Sequence, residues 1–175
     1  MRSFNLIVST FRFREEDAED EIMDFLEDLG DPEAGTEISS VSGLVLCDTE
    51  LDPFVVVEKI IGIVRSEPWQ VRFILRAIPV EVVVNTDLDQ IAQACASLCQ
   101  KKMSSTETFR ITVEKRHCDS LSSKDIISAV ADKIQNKVKL ENPDWIVLVE
   151  IIGKVSGISV VKDDQIFRSM KEKRK

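Results

Sequence analysis

Histidine and cysteine are the side chains best suited to nucleophilic chemistry, and in this sequence His117 is followed directly by Cys118. Both come at the end of a run that alternates like a β-strand. Neighbouring side chains of a strand point to opposite faces, so these two cannot pair as base and nucleophile. We therefore expect a chain without enzymatic activity of its own.

Metal chemistry is also poorly supported by these residue types. The sequence has four cysteines, no C-x-x-C pair and one histidine, whereas a structural zinc site needs soft ligands in close pairs. Cys95 and Cys99 fall on the apolar stripe of a predicted helix. We expect them to be buried thiols of a reducing compartment, and we expect no bound metal.

Carboxylates are concentrated in residues 15–33, which hold eleven acidic side chains and no basic one. Apolar residues recur there at helical spacing, namely Ile22, Phe25, Leu26 and Leu29. The acidic side chains are therefore predicted to form the solvent-exposed face of an amphipathic helix. A docking face for a basic partner is the alternative. The six glycines never approach G-x-G-x-x-G or P-loop spacing, so we expect no nucleotide cofactor.

Charge divides the chain into two parts. The chain carries 23 basic and 31 acidic side chains, a net charge of -8; residues 1–105 have 9 basic and 20 acidic, and residues 106–175 have 14 and 11. The second part is therefore the one expected to meet phosphates. Its last residues, "RSMKEKRK", form a basic tail that is either a solvated end or a phosphate-binding arm, with Arg168 and Lys171 as candidate contacts.

The first half has the pattern of a ferredoxin-like domain. "FNLIVSTFR" predicts a strand, and the acidic helix follows until Gly30. Two short strands, "TEISSV" and "LVLCDT", flank a turn at Ser42 and Gly43. Asp52 and Pro53 open a second helix, and a strand over about 71–77 completes the order β-α-β-β-α-β. Arg72 and Arg76 share one face of that last strand and are candidate phosphate contacts.

The second half predicts another α/β layer, in the order α-β-α-β-β. Asp87 caps a helix over 88–101, "TFRITVEKR" is a strand, and Ser122 or Ser123 caps the next helix. "DWIVLVEII" is nearly continuous in apolar residues, as in a strand buried on both faces. Gly153 and Lys154 then turn the chain into "VSGISVV", and Lys154 at this exposed tip is a further RNA-contact candidate.

Three segments of the chain resemble a THUMP domain. They are "RFILRAIPV" (72–80), "TFRITVEKRHCDSLSSKDIISAVADKI" (108–134) and "KVKLENPDWIVLVEIIGKVSGISVV" (137–161), of which "KVKLENPD" is the most specific. The predicted organisation is a ferredoxin-like domain over 1–65, whose last strand at about 71–77 could be shared with the next domain, then a THUMP domain over 66–162, which the resemblance implies to be RNA-binding, and the basic tail over 163–175. The resemblance also implies that the end of the strand "TFRITVEKR" and the serine-containing loop after this strand lie near RNA. The candidate contacts there are Lys115, Arg116, Ser120 and Ser123.

The sequence is most similar to the stand-alone THUMP adaptors that help an RNA acetyltransferase form N4-acetylcytidine in tRNA. That resemblance implies a cytoplasmic protein that binds tRNA, at its acceptor stem and 3' end, and that binds the cytidine acetyltransferase; DNA and membranes are not expected partners. A THUMP subunit for a methyltransferase or a thiolation enzyme is the alternative, and an uncharacterised small enzyme is a third. Ser123 has a competing role as the helix cap.

Overall fold

The structure is a computed structural model that describes residue 1 and residues 3–174. The chain forms two compact units. The first contains Met1–Val80 together with Asp164–Lys175, and the second contains Glu81–Asp163. The first unit thus continues past residue 65, because the strand that follows the second helix belongs to its sheet.

The regular elements alternate along the chain in the mixed α/β manner that the sequence predicts. In chain order they are β1 (Leu6–Ser9), α1 (Glu15–Asp28), β2 (Gly35–Ile38), β3 (Leu44–Asp48), α2 (Pro53–Ser66), β4 (Arg76–Pro79), β5 (Val82–Asn85), α3 (Leu88–Lys102), β6 (Phe109–Arg116), α4 (Ser123–Ala131), β7 (Trp145–Ile152), β8 (Val155–Val161), β9 (Phe167–Arg168) and α5 (Ser169–Lys173).

The first unit is a five-stranded antiparallel sheet in the order β2-β3-β1-β4-β9. Its first four strands and two helices have the predicted β-α-β-β-α-β order. Ile22 and Leu26 of α1 join Val57 and Ile60 of α2 in one apolar core against this sheet. Asp52 caps α2, as predicted, by accepting a hydrogen bond from the Phe54 amide at 2.9 Å.

The C-terminal residues fold back onto the first unit. The tail predicted as a solvated end or a phosphate-binding arm instead supplies β9, which pairs with β4, and the short helix α5. Phe167 is fully buried in the apolar core, and the buried Glu172 carboxylate forms an ion pair with Arg65, whose Nε donates to it at 2.7 Å. The sequence prediction considered only the basic side chains of this segment and did not consider Phe167, which attaches the segment to the core of the first unit.

The second unit is a four-stranded sheet in the order β5-β8-β7-β6, in which β6 and β7 are parallel. Helices α3 and α4 contribute Ile91, Cys95, Ile126 and Val130 to a core with the inward residues of β7 and β8. The central β7 is buried almost throughout, as its apolar sequence predicts. Strand β5 was missing from the prediction, although Pro79 interrupts the apolar run before its valines.

None of the helices in the described part of the chain is both long enough and apolar enough to cross a membrane.

Candidate nucleic-acid interface

The residues that the sequence proposes for RNA contact fall into two groups, one in each unit. The second unit holds Lys115, Arg116, Ser120, Ser123 and Lys154. The first unit holds Arg72, Arg76, Arg168 and Lys171. The five of the second unit all come from the end of β6, the loop after it, the start of α4 and the β7–β8 turn.

Lys115 places its ammonium group beside the start of α4. The side chain is exposed, and Nζ donates a hydrogen bond to the Leu121 carbonyl oxygen at 2.9 Å. Leu121 immediately precedes the residue that caps α4. The first amides of a helix have no partner inside the helix and carry partial positive charge. Lys115 therefore adds a full charge to a helix end that already favours anions.

The cap of α4 is Ser122 and not Ser123. The Ser122 hydroxyl oxygen accepts a hydrogen bond from the Asp125 amide at 3.1 Å. Ser123 is the first helical residue, so the capping role that competed with its RNA role is filled by its neighbour. Lys124, which the sequence reasoning passed over, is the second helical residue and is exposed. Its position at the start of a helix was visible in the sequence once the cap was known.

Ser120 lies in the loop before α4, where its hydroxyl is 3.6 Å from the Cys118 sulfur. This hydrogen bond is the largest cause of a lowered pKa of the Cys118 thiol, and the positive charge of Lys115 contributes in the same direction. His117 and Cys118 follow the last residue of β6, so neither lies on the strand as predicted, and His117 is exposed whereas Cys118 is buried.

The β7–β8 turn meets the end of β6 through a main-chain hydrogen bond. The Gly153 amide donates to the Arg116 carbonyl oxygen at 2.9 Å. Lys154 is exposed on this turn, and His117, also exposed, follows β6 with a left-handed φ of 54°. The sequence reasoning weighed His117 only as a base, yet an exposed imidazole at this end of the sheet can stack on a nucleobase. The backbone conformation that turns it outward was not visible in the sequence.

Arg116 has a structural partner. Its Nη1 lies 2.7 Å from Glu150 Oε2, and the Glu150 side chain is only 1% exposed. A buried carboxylate requires a counter-charge, and Arg116 supplies one. The sequence proposed Arg116 as an RNA contact, but this donor is already engaged within the sheet.

Arg72 does not lie on a strand. The predicted strand over 71–77 begins only at Arg76, and the amides of Arg72 and Ile74 instead donate to the Glu21 carboxylate at 3.0 Å each. The Arg72 guanidinium lies 5.6 Å from the centre of the Phe73 ring. Around it is a groove of about 300 Å³ lined by carboxylates of α1: Asp17, Asp20, Glu21, Asp24 and Asp28. These acids disfavour phosphate at Arg72.

Arg76 and Arg168 face each other directly in the antiparallel pair of β4 and β9. Both are partly buried, and each makes further polar or electrostatic contacts. Lys171 lies in α5, where its side chain is exposed and also has an interaction partner. Arg76 and Arg168 therefore lie at the β4–β9 edge of the first unit's sheet, and Lys171 lies in the helix that directly follows β9.

"KVKLENPD" forms a well-fixed connection into β7. The Asp144 carboxylate accepts hydrogen bonds from the Thr108 amide at 2.8 Å and the Thr108 hydroxyl at 3.1 Å. The hydrogen bond from the Thr108 amide is the largest cause of a lowered pKa of the Asp144 carboxyl group. Asn142 has a left-handed φ of 50°, which asparagine tolerates. These contacts hold the last residue of the segment against Thr108, which directly precedes β6.

The thiols of three other cysteines lie in the cores of the two units. Burial raises the pKa of Cys47, Cys95 and Cys99 to about 12 each. All four cysteine thiols are unbridged. Within residues 1 and 3–174, no three His, Cys, Asp or Glu side chains are grouped in a way that would hold a metal ion.

Comparison with known families matches the sequence model of the THUMP domain to residues 85–161. The matched residues run from the last residue of β5 to the end of β8 and lie within the predicted range 66–162, which confirms that the chain contains a THUMP domain. THUMP domain-containing protein 1 of Bos taurus is 28% identical over 159 residues, which are 81% of this chain and 44% of that protein.

Two solved structures share the fold. TrmN from Thermus thermophilus superposes with a TM-score of 0.67 at 16% identity, over 90% of this chain and 45% of that chain. A 4-thiouridine synthetase in complex with RNA and ATP superposes with a TM-score of 0.57 at 15% identity, over 91% of this chain and 42% of that chain. The present chain spans less than half the length of each of these three proteins.

Proposed function

We propose that this chain is a non-catalytic, cytoplasmic tRNA-binding adaptor that presents tRNA to an RNA cytidine acetyltransferase for N4-acetylcytidine formation. The observation that carries the RNA-binding part is the meeting of Lys115, the start of α4 and the β7–β8 turn at one end of a THUMP domain. The synthetase of the same fold was solved with RNA, which supports a nucleic-acid ligand for this architecture.

Charge supports the second unit as the phosphate-binding one. Residues 81–163 carry 11 basic and 12 acidic side chains, whereas the first unit carries 12 and 19. A nearly neutral unit with Lys115, Lys124 and Lys154 at one end allows phosphates to approach there. The strongly acidic first unit repels a polyanion over most of its surface.

Backbone contact fits the residue types at this interface. Ammonium groups, serine hydroxyls and helix amides bind phosphate oxygens without reading base sequence. We therefore expect recognition of tRNA by shape, through phosphates and ribose hydroxyls at the acceptor stem and 3' end. The adaptor then raises the effective concentration of tRNA at an active site carried by the acetyltransferase.

The binding step is tested with the full chain and total tRNA at about 50 and 200 mM salt, since each phosphate contact contributes about -0.9 to the logarithmic salt slope. Lys115→Gln with Lys154→Gln should weaken binding and reduce the slope by about two. Lys133→Gln is the matched control, because Lys133 is exposed beyond the opposite end of α4. An unchanged slope in the double variant would refute this placement of the RNA.

The enzymatic step is tested by reconstitution with the acetyltransferase of the same organism. Acetylcytidine that appears in tRNA only when both proteins are present supports the adaptor function. A THUMP subunit of a methyltransferase or thiolation enzyme is the second candidate, favoured by the 4-thiouridine synthetase that shares the fold. In that case reconstitution with such an enzyme yields methylated or thiolated nucleosides and none that are acetylated.

A further inference from the structure

The turn between β1 and α1 carries two aromatic rings out into solvent. Phe13 is 87% exposed and Phe11 is 53% exposed. Arg12 and Arg14 alternate with them, so the turn reads Phe-Arg-Phe-Arg. The Arg14 amide donates to the Phe11 carbonyl oxygen at 3.1 Å, which closes a four-residue turn.

Phe13 has a backbone conformation that phenylalanine rarely adopts. Its φ is 69°, and it stands at the third position of this turn, where a positive φ favours glycine or asparagine. Glycine would form the turn without strain, and a polar side chain would avoid exposing a ring to water. Neither the conformation nor the exposure of Phe13 therefore stabilises the fold, and an outlier of this kind suggests a functional role.

The turn is held firmly by its neighbours. The Thr10 amide donates to the Gly43 carbonyl oxygen at 2.9 Å, and the Gly43 amide donates to the Glu15 carboxylate at 2.8 Å. A Cβ at Gly43 would lie 2.9 Å from the Thr10 carbonyl oxygen, so only glycine allows this approach. The rings are thus presented from an anchored main chain, which lowers the entropy cost of stacking against a ligand.

The groups next to the rings favour a nucleobase as the ligand. Arg12 Nε donates to the neutral Ser42 hydroxyl at 3.4 Å, and Arg14 pairs with Asp17 at 3.1 Å. The Arg14 guanidinium also lies 6.0 Å from the centre of the Phe73 ring, whereas Arg12 contacts a neutral hydroxyl and keeps its positive charge for a phosphate next to a stacked base. Unpaired bases stack on phenylalanine rings and on guanidinium planes alike.

We infer that the Phe11–Arg14 turn is a stacking site for unpaired nucleobases of RNA. This inference rests on the proposed RNA-binding function and adds a contact from the first unit. The acidic residues that follow in α1 make the phosphate attraction here small. Binding at this turn therefore depends on stacking, and its contribution changes little with salt.

The experiment compares Phe13→Gly and Phe11→Ala with the unsubstituted chain. The probes are total tRNA and a single-stranded RNA oligonucleotide that carries a fluorescent purine analogue, both at about 50 and 200 mM salt. Trp69→Ala is the matched control, because Trp69 is 68% exposed in the same unit but lies away from the turn in sequence. Thermal unfolding is measured for every variant.

We expect each phenylalanine variant to bind about 5- to 100-fold more weakly at both salt concentrations, with an unchanged salt slope and reduced quenching of the analogue. Phe13→Gly should unfold at the same or a higher temperature, which separates lost binding from lost folding. Trp69→Ala should bind like the unsubstituted chain.

Two outcomes overturn the inference in distinguishable ways. If the unsubstituted chain binds neither RNA, the proposed function fails and the stacking site fails with it. If the unsubstituted chain binds with a slope that depends on Lys115 and Lys154, but Phe13→Gly binds equally well, only the stacking site is refuted. The exposed rings would then be explained better by a protein partner.

Discussion

The guanidinium of Arg116 lies 2.7 Å from the carboxylate of Glu150, which is almost completely buried in the central strand β7. The pair joins the parallel strands β6 and β7 near their ends. It gives Arg116 a role in folding that its position in a basic motif does not reveal. An experiment on RNA binding must therefore treat Arg116 separately from Lys115, although the two are adjacent in sequence.

Replacing Arg116 alone should destabilise the protein. Arg116→Ala removes a counter-charge from a buried carboxylate, which costs about 3–5 kcal/mol in the free energy of unfolding. Urea denaturation measures this loss. The double variant Arg116→Met with Glu150→Leu removes both charges and should recover most of the stability. If Arg116→Ala is as stable as the original chain, the ion pair contributes nothing.

The two serines at the start of α4 should differ in their effect on stability. Ser122→Ala removes the cap that accepts from Asp125 and should cost about 1 kcal/mol, whereas Ser123→Ala should leave the free energy of unfolding nearly unchanged. Chemical denaturation of both variants checks the difference. Equal losses would contradict the assignment of Ser122 as the cap.

The cysteines should react with an alkylating reagent in a defined order. The Ser120 hydroxyl lowers the pKa of the Cys118 thiol, whereas burial raises the pKa of Cys47 and Cys95 to about 12. All four thiols are buried, so labelling is slow, but since the thiolate is the reactive form, Cys118, which is 9% exposed, should be modified before the others. Mass spectrometry of the partially labelled protein identifies the site. Ser120→Ala should slow the modification, and early labelling of a core cysteine would contradict the prediction.

Acid should destabilise the first unit through Asp31. Hydrogen bonds from the Thr49 hydroxyl at 2.5 Å and the Glu50 amide at 2.9 Å lower the pKa of this carboxyl group. A carboxyl group with a lowered pKa in the folded state contributes stability above about pH 4, and this stability is lost as the pH falls through the lowered pKa. Denaturation series at decreasing pH should therefore be flatter for Asp31→Asn. An identical acid profile would exclude this contribution.

The C-terminal segment should be necessary for the stability of the first unit. Phe167→Ala empties a fully buried position and should cost about 3–5 kcal/mol. Met170→Ala, three residues later and 68% exposed, is the matched control and should have little effect. Thermal unfolding of both variants measures the difference. Equal stability would mean that the segment is only loosely attached.

Much of the local structure was predictable, because helix caps and hydrophobic periods act over a few residues. Asp52 and Asp87 begin their helices as predicted, and the apolar run of β7 is buried. Arg72 was placed wrongly on a strand for a physical reason. Three consecutive amides, from Arg72 to Ile74, donate to the carboxylate of Glu21, which lies more than fifty positions earlier in the sequence. No local pattern encodes that contact.

The candidate interface was also predictable only in part. Three features could be predicted from the sequence: the THUMP domain, the alternation of helices and strands, and the types of side chain near the end of β6. Three features depend on long-range contacts: Lys115 binds at the start of α4, Arg116 pairs with Glu150, and the basic tail forms β9 and α5. Short-range spacing sets periodicity and capping, whereas the partner of a charged side chain is set by contacts between segments that are distant in the chain.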